Sequence, residues 1–446
     1  MNPDPLLLRL DAFSAKDRGQ ALRALAAQSA FPPEGGNVNM HMHSFFSYNA
    51  AGASPSRLAF EARRAGLWAA GLCDFDVLDG LEEFLRAGLV LGLRATVNLE
   101  TRAFLSDFAT VEINSPGEPG VAYIMGAGFT RVPVAATPEG RTLSAGRRQA
   151  AARNLALIAR INPHVPEIAI ALERDVMPLT PHDAPTERHI IRAYCRKAAA
   201  VFPDDGGAAF WARALGLPPD AAAALLRDTP ALEEKVRARF AKKGGLGYEQ
   251  PTEKTFPPAD AFIAWVLACG AVPMVTWLDG TSPGEADPQA LLDCLCAKGC
   301  AAVNIVPDRN WNLKDPAQAA RKQAALRAFV EAAKARRLPI NIGTELNKDG
   351  LPFVDDLAGP ALAPYADTFR EGAAILTGHT ILHRYAGFSY TGAAADARFG
   401  ADRAARNRFF EAVGRLPPLT EPRAAELAAL GPEKAFAQLA EKAKKN

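Results

Sequence analysis

Two histidines two positions apart, His41 and His43, close the run NVNMHMH at residues 37–43. Read as a strand, the run alternates its side chains between two faces, so both imidazoles share a face with Asn37 and Asn39 and lie about 7 Å apart. Such a pair can reach one metal ion or two adjacent ions; the plainer alternative is two histidines that end a strand and bind nothing. Carboxylates follow with the same parity. In LRATVNLETR, residues Thr96, Asn98, Glu100 and Arg102 form a polar stripe opposite Val97, Leu99 and Thr101, and a buried strand carries such a stripe only for a reason. In PINIGTELN, Asn341, Gly343, Glu345 and Asn347 share one face, which leaves Glu345 either in a site or paired with Lys348 in a loop.

Further candidates lie away from the strands. Arg188 and His189 in PTERHIIRAY, with Arg192, give a helix face able to recognise an anionic substrate, or an ordinary helix surface. His379 in TGHT could enter the site from the tail as a nitrogen ligand or a proton donor, with Gly378 permitting close approach. SPGEPG is turn chemistry and, directly after a strand, is also placed to gate a substrate. Cys294, Cys296 and Cys300 in DCLCAKGC fit the buried face of one helix better than a zinc site, because no partner pair exists elsewhere.

The elements that must position these residues repeat one rhythm of apolar run and amphipathic helix. NVNMHMH precedes the helix start Ser54-Pro55-Ser56, GLWAAGLCDFD precedes VLDGLEEFLRAGLVLG, and LRATVNLETRAF follows. The rhythm returns in AVPMVTWLD, AAVNIVPD and PINIGTELN with their intervening helices. Alternating β and α elements predict parallel strands with right-handed crossovers. Residues 37–104 and 257–365 are thus expected to form a barrel or open sheet. Residues 1–36 are a helical N-terminal segment, 105–256 a mostly helical insertion with one loop-plus-strand stretch, and 366–446 a helical tail.

NMHMHSFFSYNA, SPSRLAFEARRAGLWAAGLCDFD and LGLRATVNLETR resemble, in order, the first three motifs of the PHP (polymerase and histidinol phosphatase) family of metal-dependent phosphoesterases. NIGTELN is similar to its Gly-Ser-Asp-x-His motif. The resemblance implies an α/β fold, a distorted (β/α)7 TIM-like barrel, with two or three metal ions at the strand C-termini. Three expected histidines are replaced, by Phe75, Trp277 and Asn347. The set that remains is His41, His43, Glu100 and Glu345, enough for one or two divalent ions, with oxygen-rich ligation admitting Mn²⁺ or Mg²⁺ beside Zn²⁺ or Fe²⁺.

Two function classes follow. One is a metal-dependent hydrolase acting on a small phosphorylated molecule through an activated water, with Asp76 orienting or deprotonating that water, Arg102 or Arg188 neutralising charge and His379 protonating the leaving oxygen. An amidohydrolase-like C–N hydrolase is its close variant. The other is a degenerate barrel that binds a small molecule, with Phe75 and Trp277 lining the pocket. Lys and Arg total 51 against 49 Asp and Glu, and no basic stripe interleaves with aromatics, so nucleic acid is not an expected partner. No membrane span or signal segment is expected, and six cysteines without a disulfide framework point to a reducing, cytoplasmic setting.

Overall fold

The computed structural model describes residues 4–203 and 206–445. Among these residues seven strands form one sheet in sequence order: β1 (Val38–Met42), β2 (Ala69–Phe75), β3 (Arg94–Phe104), β4 (Val121–Ala127), β5 (Val272–Trp277), β6 (Ala302–Ile305) and β7 (Ile340–Ile342). All neighbours are parallel except β4, which runs antiparallel to both β3 and β5. Beyond β7 the chain rejoins β1 through a bridge between Met42 and Glu345, with the Glu345 amide donating to the His41 carbonyl and the His43 amide to the Glu345 carbonyl, both at 2.8 Å. The sheet is therefore a nearly closed, distorted TIM-like barrel. β4 falls inside the 105–256 segment, yet it supplies the seventh stave.

The helices follow from the signals in the sequence. Ser54 caps Pro55–Arg64 by accepting from the Arg57 amide at 3.0 Å, and Pro55 occupies the first turn, where a missing N–H costs nothing. The apolar face of this helix, Leu58, Ala59, Phe60 and Ala62, is buried on the barrel. Between β4 and β5 the inserted helices gather their own core around Ile161, Tyr194, Trp211 and Phe240. A long helix, Ala366–Ala386, crosses the N-terminal ends of the strands, so close that a Cβ on Gly372 would lie 2.0 Å from the Ile340 carbonyl oxygen. No helix among the described residues is long and apolar enough to cross a membrane.

One buried carboxyl makes stability depend on pH. Asp355, 2% exposed, accepts a 2.8 Å hydrogen bond from the Trp311 indole at Oδ1, while Oδ2 has no partner among the described residues. Burial pushes its pKa up to about 7, from the usual value near 4. Native protein then holds a proton that unfolded chain has released. Its contribution is complete below about pH 4 and is lost as pH rises through 7, a change on the order of 4 kcal/mol. Asp355→Asn should remove that slope, and urea unfolding of both proteins at pH 5 and pH 8 would measure the difference.

Candidate metal centre

Strand alternation and barrel closure turn Asn39 and His41 of β1, and His43 just beyond its end, inward, and with them Cys73 and Phe75 of β2 and Asn98, Glu100 and Arg102 of β3. Gly343 makes room for this: a Cβ there would lie 2.3 Å from that of His41, so β7 passes only because the side chain is absent. Three ligand atoms converge inside the barrel. His41 Nε2 and His43 Nε2 are 3.3 Å apart, and Glu100 Oε2 is 3.5 Å from the first and 3.4 Å from the second. All three residues are buried.

The spacing tests whether a metal fits. Bonds of about 2.1 Å at tetrahedral angles separate ligand atoms by about 3.4 Å, which matches the nearly equilateral triangle found here. The far nitrogen of His43 is also engaged as a metal requires. His43 Nδ1 is 3.1 Å from Ser47 Oγ, and Ser47 donates to Asp74 Oδ1 at 2.7 Å. Asp74 also accepts from the Ser44 amide and hydroxyl, both at 2.7 Å, and so anchors the loop that carries the relay. His41 Nδ1 faces Asn304 of β6 at 3.1 Å. Phe75, at a position where the PHP resemblance expects a ligand, instead stacks on the His43 ring at 5.0 Å and 8°.

Charge reinforces the geometry. Burial opposes ionisation of Glu100, but the His41 and His43 imidazoles hold its carboxyl down to about 2. Burial likewise opposes protonation of His41, and Glu100, Glu345 and Asp74 outweigh it and raise its pKa. A compact site with two neutral nitrogen donors and one carboxylate satisfies the same field with a cation instead of a proton.

The remaining sequence candidates sit as follows. Glu345 lies beside the triangle with its carboxylate 3.4 Å from the Arg309 guanidinium. Its φ of 61°, with 58° at Leu346 and 59° at Asp76, puts left-handed non-glycine backbone at the barrel mouth. Asp76 accepts from the Thr101 hydroxyl at 2.6 Å and lies 3.6 Å from Arg153. Arg102 pairs with Glu118 at 3.1 Å and lies over the Phe256 ring. Arg188 pairs with Glu234 at 2.6 Å. His189 is buried in a capping box, its ring accepting from the Thr186 amide, and burial takes its pKa down to about 3, so it adds no charge to an anion-binding face.

The structure does not bring His379 to the triangle. It sits on Ala366–Ala386, its Nε2 3.0 Å from the Gly128 carbonyl oxygen and its Nδ1 accepting from the Tyr390 amide. Gly128 follows the antiparallel β4, so this contact lies at the opposite end of the barrel. Trp277 does not line the pocket either. Its ring stacks at 4.7 Å on Phe329 of the outer helix Pro316–Ala335, and Thr276 is the β5 residue that shares a face with Asn304. The three clustered cysteines remain free and outside the triangle.

Comparison with known proteins adds little to this geometry. No protein-family model matches the chain, and no curated protein matches it. Solved structures that resemble it include a proposed metal-dependent phosphoesterase from Bifidobacterium adolescentis, 18% identical over 77% of this chain and 96% of that one, with a TM-score of 0.45. Another is an amidohydrolase from Chromobacterium violaceum with bound sulfate and no metal, 15% identical over 75% of this chain and 96% of that one, with a TM-score of 0.47.

Proposed function

We propose that this protein is a metal-dependent hydrolase of phosphate esters, held to that reading by one observation: two imidazoles and a carboxylate converge in a tetrahedral-sized triangle below a cation-rich barrel mouth. His41, His43 and Glu100 would hold the ion. Once bound, a divalent metal supplies Lewis acidity, polarising a phosphoryl oxygen and lowering the pKa of water. The chain's own residues do the rest. Arg102 and Arg309 are oriented by Glu118 and Glu345, and Arg237 and Lys242 share the single carboxylate of Glu187 at 2.7 and 2.9 Å. Burial opposes ionisation of Glu187, yet Lys242, Arg237 and Arg102 hold it down to about 2. Guanidinium groups fixed in this way suit the planar, bidentate recognition of phosphate oxygens.

Tyr123 completes the wall. It faces inward opposite Arg102 in the β3–β4 register and meets the Phe75 ring edge-on at 5.8 Å. The reading accords with the resemblance to the PHP family and treats Asp76 as a residue of the mouth, tied to Thr101 and Arg153.

The test is turnover of p-nitrophenyl phosphate and of an N-acyl p-nitroanilide by protein stripped of metal and resupplied with Mn²⁺ or Zn²⁺. Metal-dependent release from the phosphate ester alone is the expected result, with Arg309→Met raising KM about tenfold or more through loss of a charge-assisted contact. Turnover of the anilide alone would move the reading to C–N hydrolysis, and no turnover with either metal would overturn it.

A further inference from the structure

We propose that Asn304 is a positioning residue that sets the tautomer of His41, presenting its amide oxygen to the imidazole. The inference rests on the metal reading. A nitrogen that binds a metal gives up its proton, so a ligating His41 Nε2 leaves the ring proton on Nδ1. That proton needs an acceptor. The fully buried Asn304 side chain stands 3.1 Å from Nδ1, with Nδ2, a donor, nearer to the ring. A half-turn of the amide exchanges its nitrogen and oxygen at almost no steric cost.

Unpartnered atoms in the next layer point to the same half-turn. Thr276, Asn304 and Asn341 stand side by side in register on β5, β6 and β7, all facing into the barrel and all buried. Among the described residues, Thr276 Oγ1, Asn304 Oδ1 and both polar atoms of Asn341 lack hydrogen-bond partners. Buried polar atoms are rarely left so, and each costs on the order of 1–3 kcal/mol. Rotating Asn304 gives the His41 Nδ1 proton an acceptor. It also turns an amide donor toward a row in which Thr276 Oγ1 and Asn341 Oδ1 await one, across strands about 4.8 Å apart. Asn304 thus links a neutral polar row to the orientation of one ligand.

Replacing Asn304 by aspartate separates this arrangement from its opposite, because aspartate offers acceptors only. The measurement is the Zn²⁺ affinity of the metal-stripped full-length protein, by competition with a chromophoric chelator at pH 7.5, for wild type, Asn304→Asp and Asn304→Leu. The expected result is wild-type or tighter binding by Asn304→Asp and binding about 10–100-fold weaker by Asn304→Leu. Asn304→Asp binding as poorly as Asn304→Leu would overturn the oxygen-facing orientation. Asn304→Leu binding like wild type would overturn the positioning role. Wild type without Zn²⁺ affinity would overturn the metal reading and this inference together. If Asn304→Leu fails to fold, Asn304→Asp alone decides.

Discussion

Replacing Glu100 by alanine is expected to lower divalent-metal affinity about 100- to 1000-fold and to remove metal-dependent turnover. A structural zinc ion contributes about 10–16 kcal/mol over four ligands, or about 2.5–4 kcal/mol for each, which converts to about that range. Among the described residues Glu100 is the only carboxylate whose oxygen joins the two Nε2 atoms, at 3.5 and 3.4 Å, and so it cannot be replaced by a neighbour. Without it the site keeps two neutral donors and loses the charge that offsets the cation. Glu100→Gln keeps the volume and one neutral oxygen and should fall between alanine and wild type. Chelator competition checks the affinities, and near-UV circular dichroism shows whether the fold survives, so that lost binding is not mistaken for lost structure.

Replacing Asp74 should produce the largest loss of stability among the site variants. Its carboxylate accepts three hydrogen bonds of 2.7 Å, from the Ser44 amide, the Ser44 hydroxyl and the Ser47 hydroxyl, in a buried setting. Asp74→Ala leaves those donors without a partner and should cost about 3–5 kcal/mol in urea unfolding. Metal affinity should fall about 10–100-fold as well, because Ser47 no longer holds His43 through Nδ1. Ser47→Ala separates the two effects: it removes the relay while leaving Ser44 on Asp74. It should weaken metal binding with a stability loss of about 1 kcal/mol. Equal stability of Asp74→Ala and wild type would remove Asp74 from this account.

Much of this architecture was legible in local sequence. The alternation of apolar run and capped helix announced six parallel strands and their crossovers, parity put His41 and His43 on one face and Glu100 on the polar face of its own strand, and the resemblance to the PHP family joined them. β4 was harder to place, because VAYIMGA reads as a strand but nothing local says that it pairs antiparallel between β3 and β5. Trp277 shows the cost of a one-residue phase error, since its neighbour Thr276 faces the interior instead. Asp74 carries no local sign of its role, because its partners come from a loop 27 and 30 residues away that folds back over β2. Asn304 left a usable signal: one amide inside the apolar run AAVNIV must find a buried partner. For His379, a helix position carries no information about which end of the barrel the helix crosses.

His41, His43 and Glu100 are expected to bind a divalent ion together. Anomalous scattering from crystals of the full-length protein grown with Zn²⁺ and measured on both sides of the zinc edge would locate that ion. The expected result is one strong peak about 2.0–2.2 Å from His41 Nε2, His43 Nε2 and Glu100 Oε2. A map with no peak among these three atoms, or with zinc held only elsewhere, would contradict it.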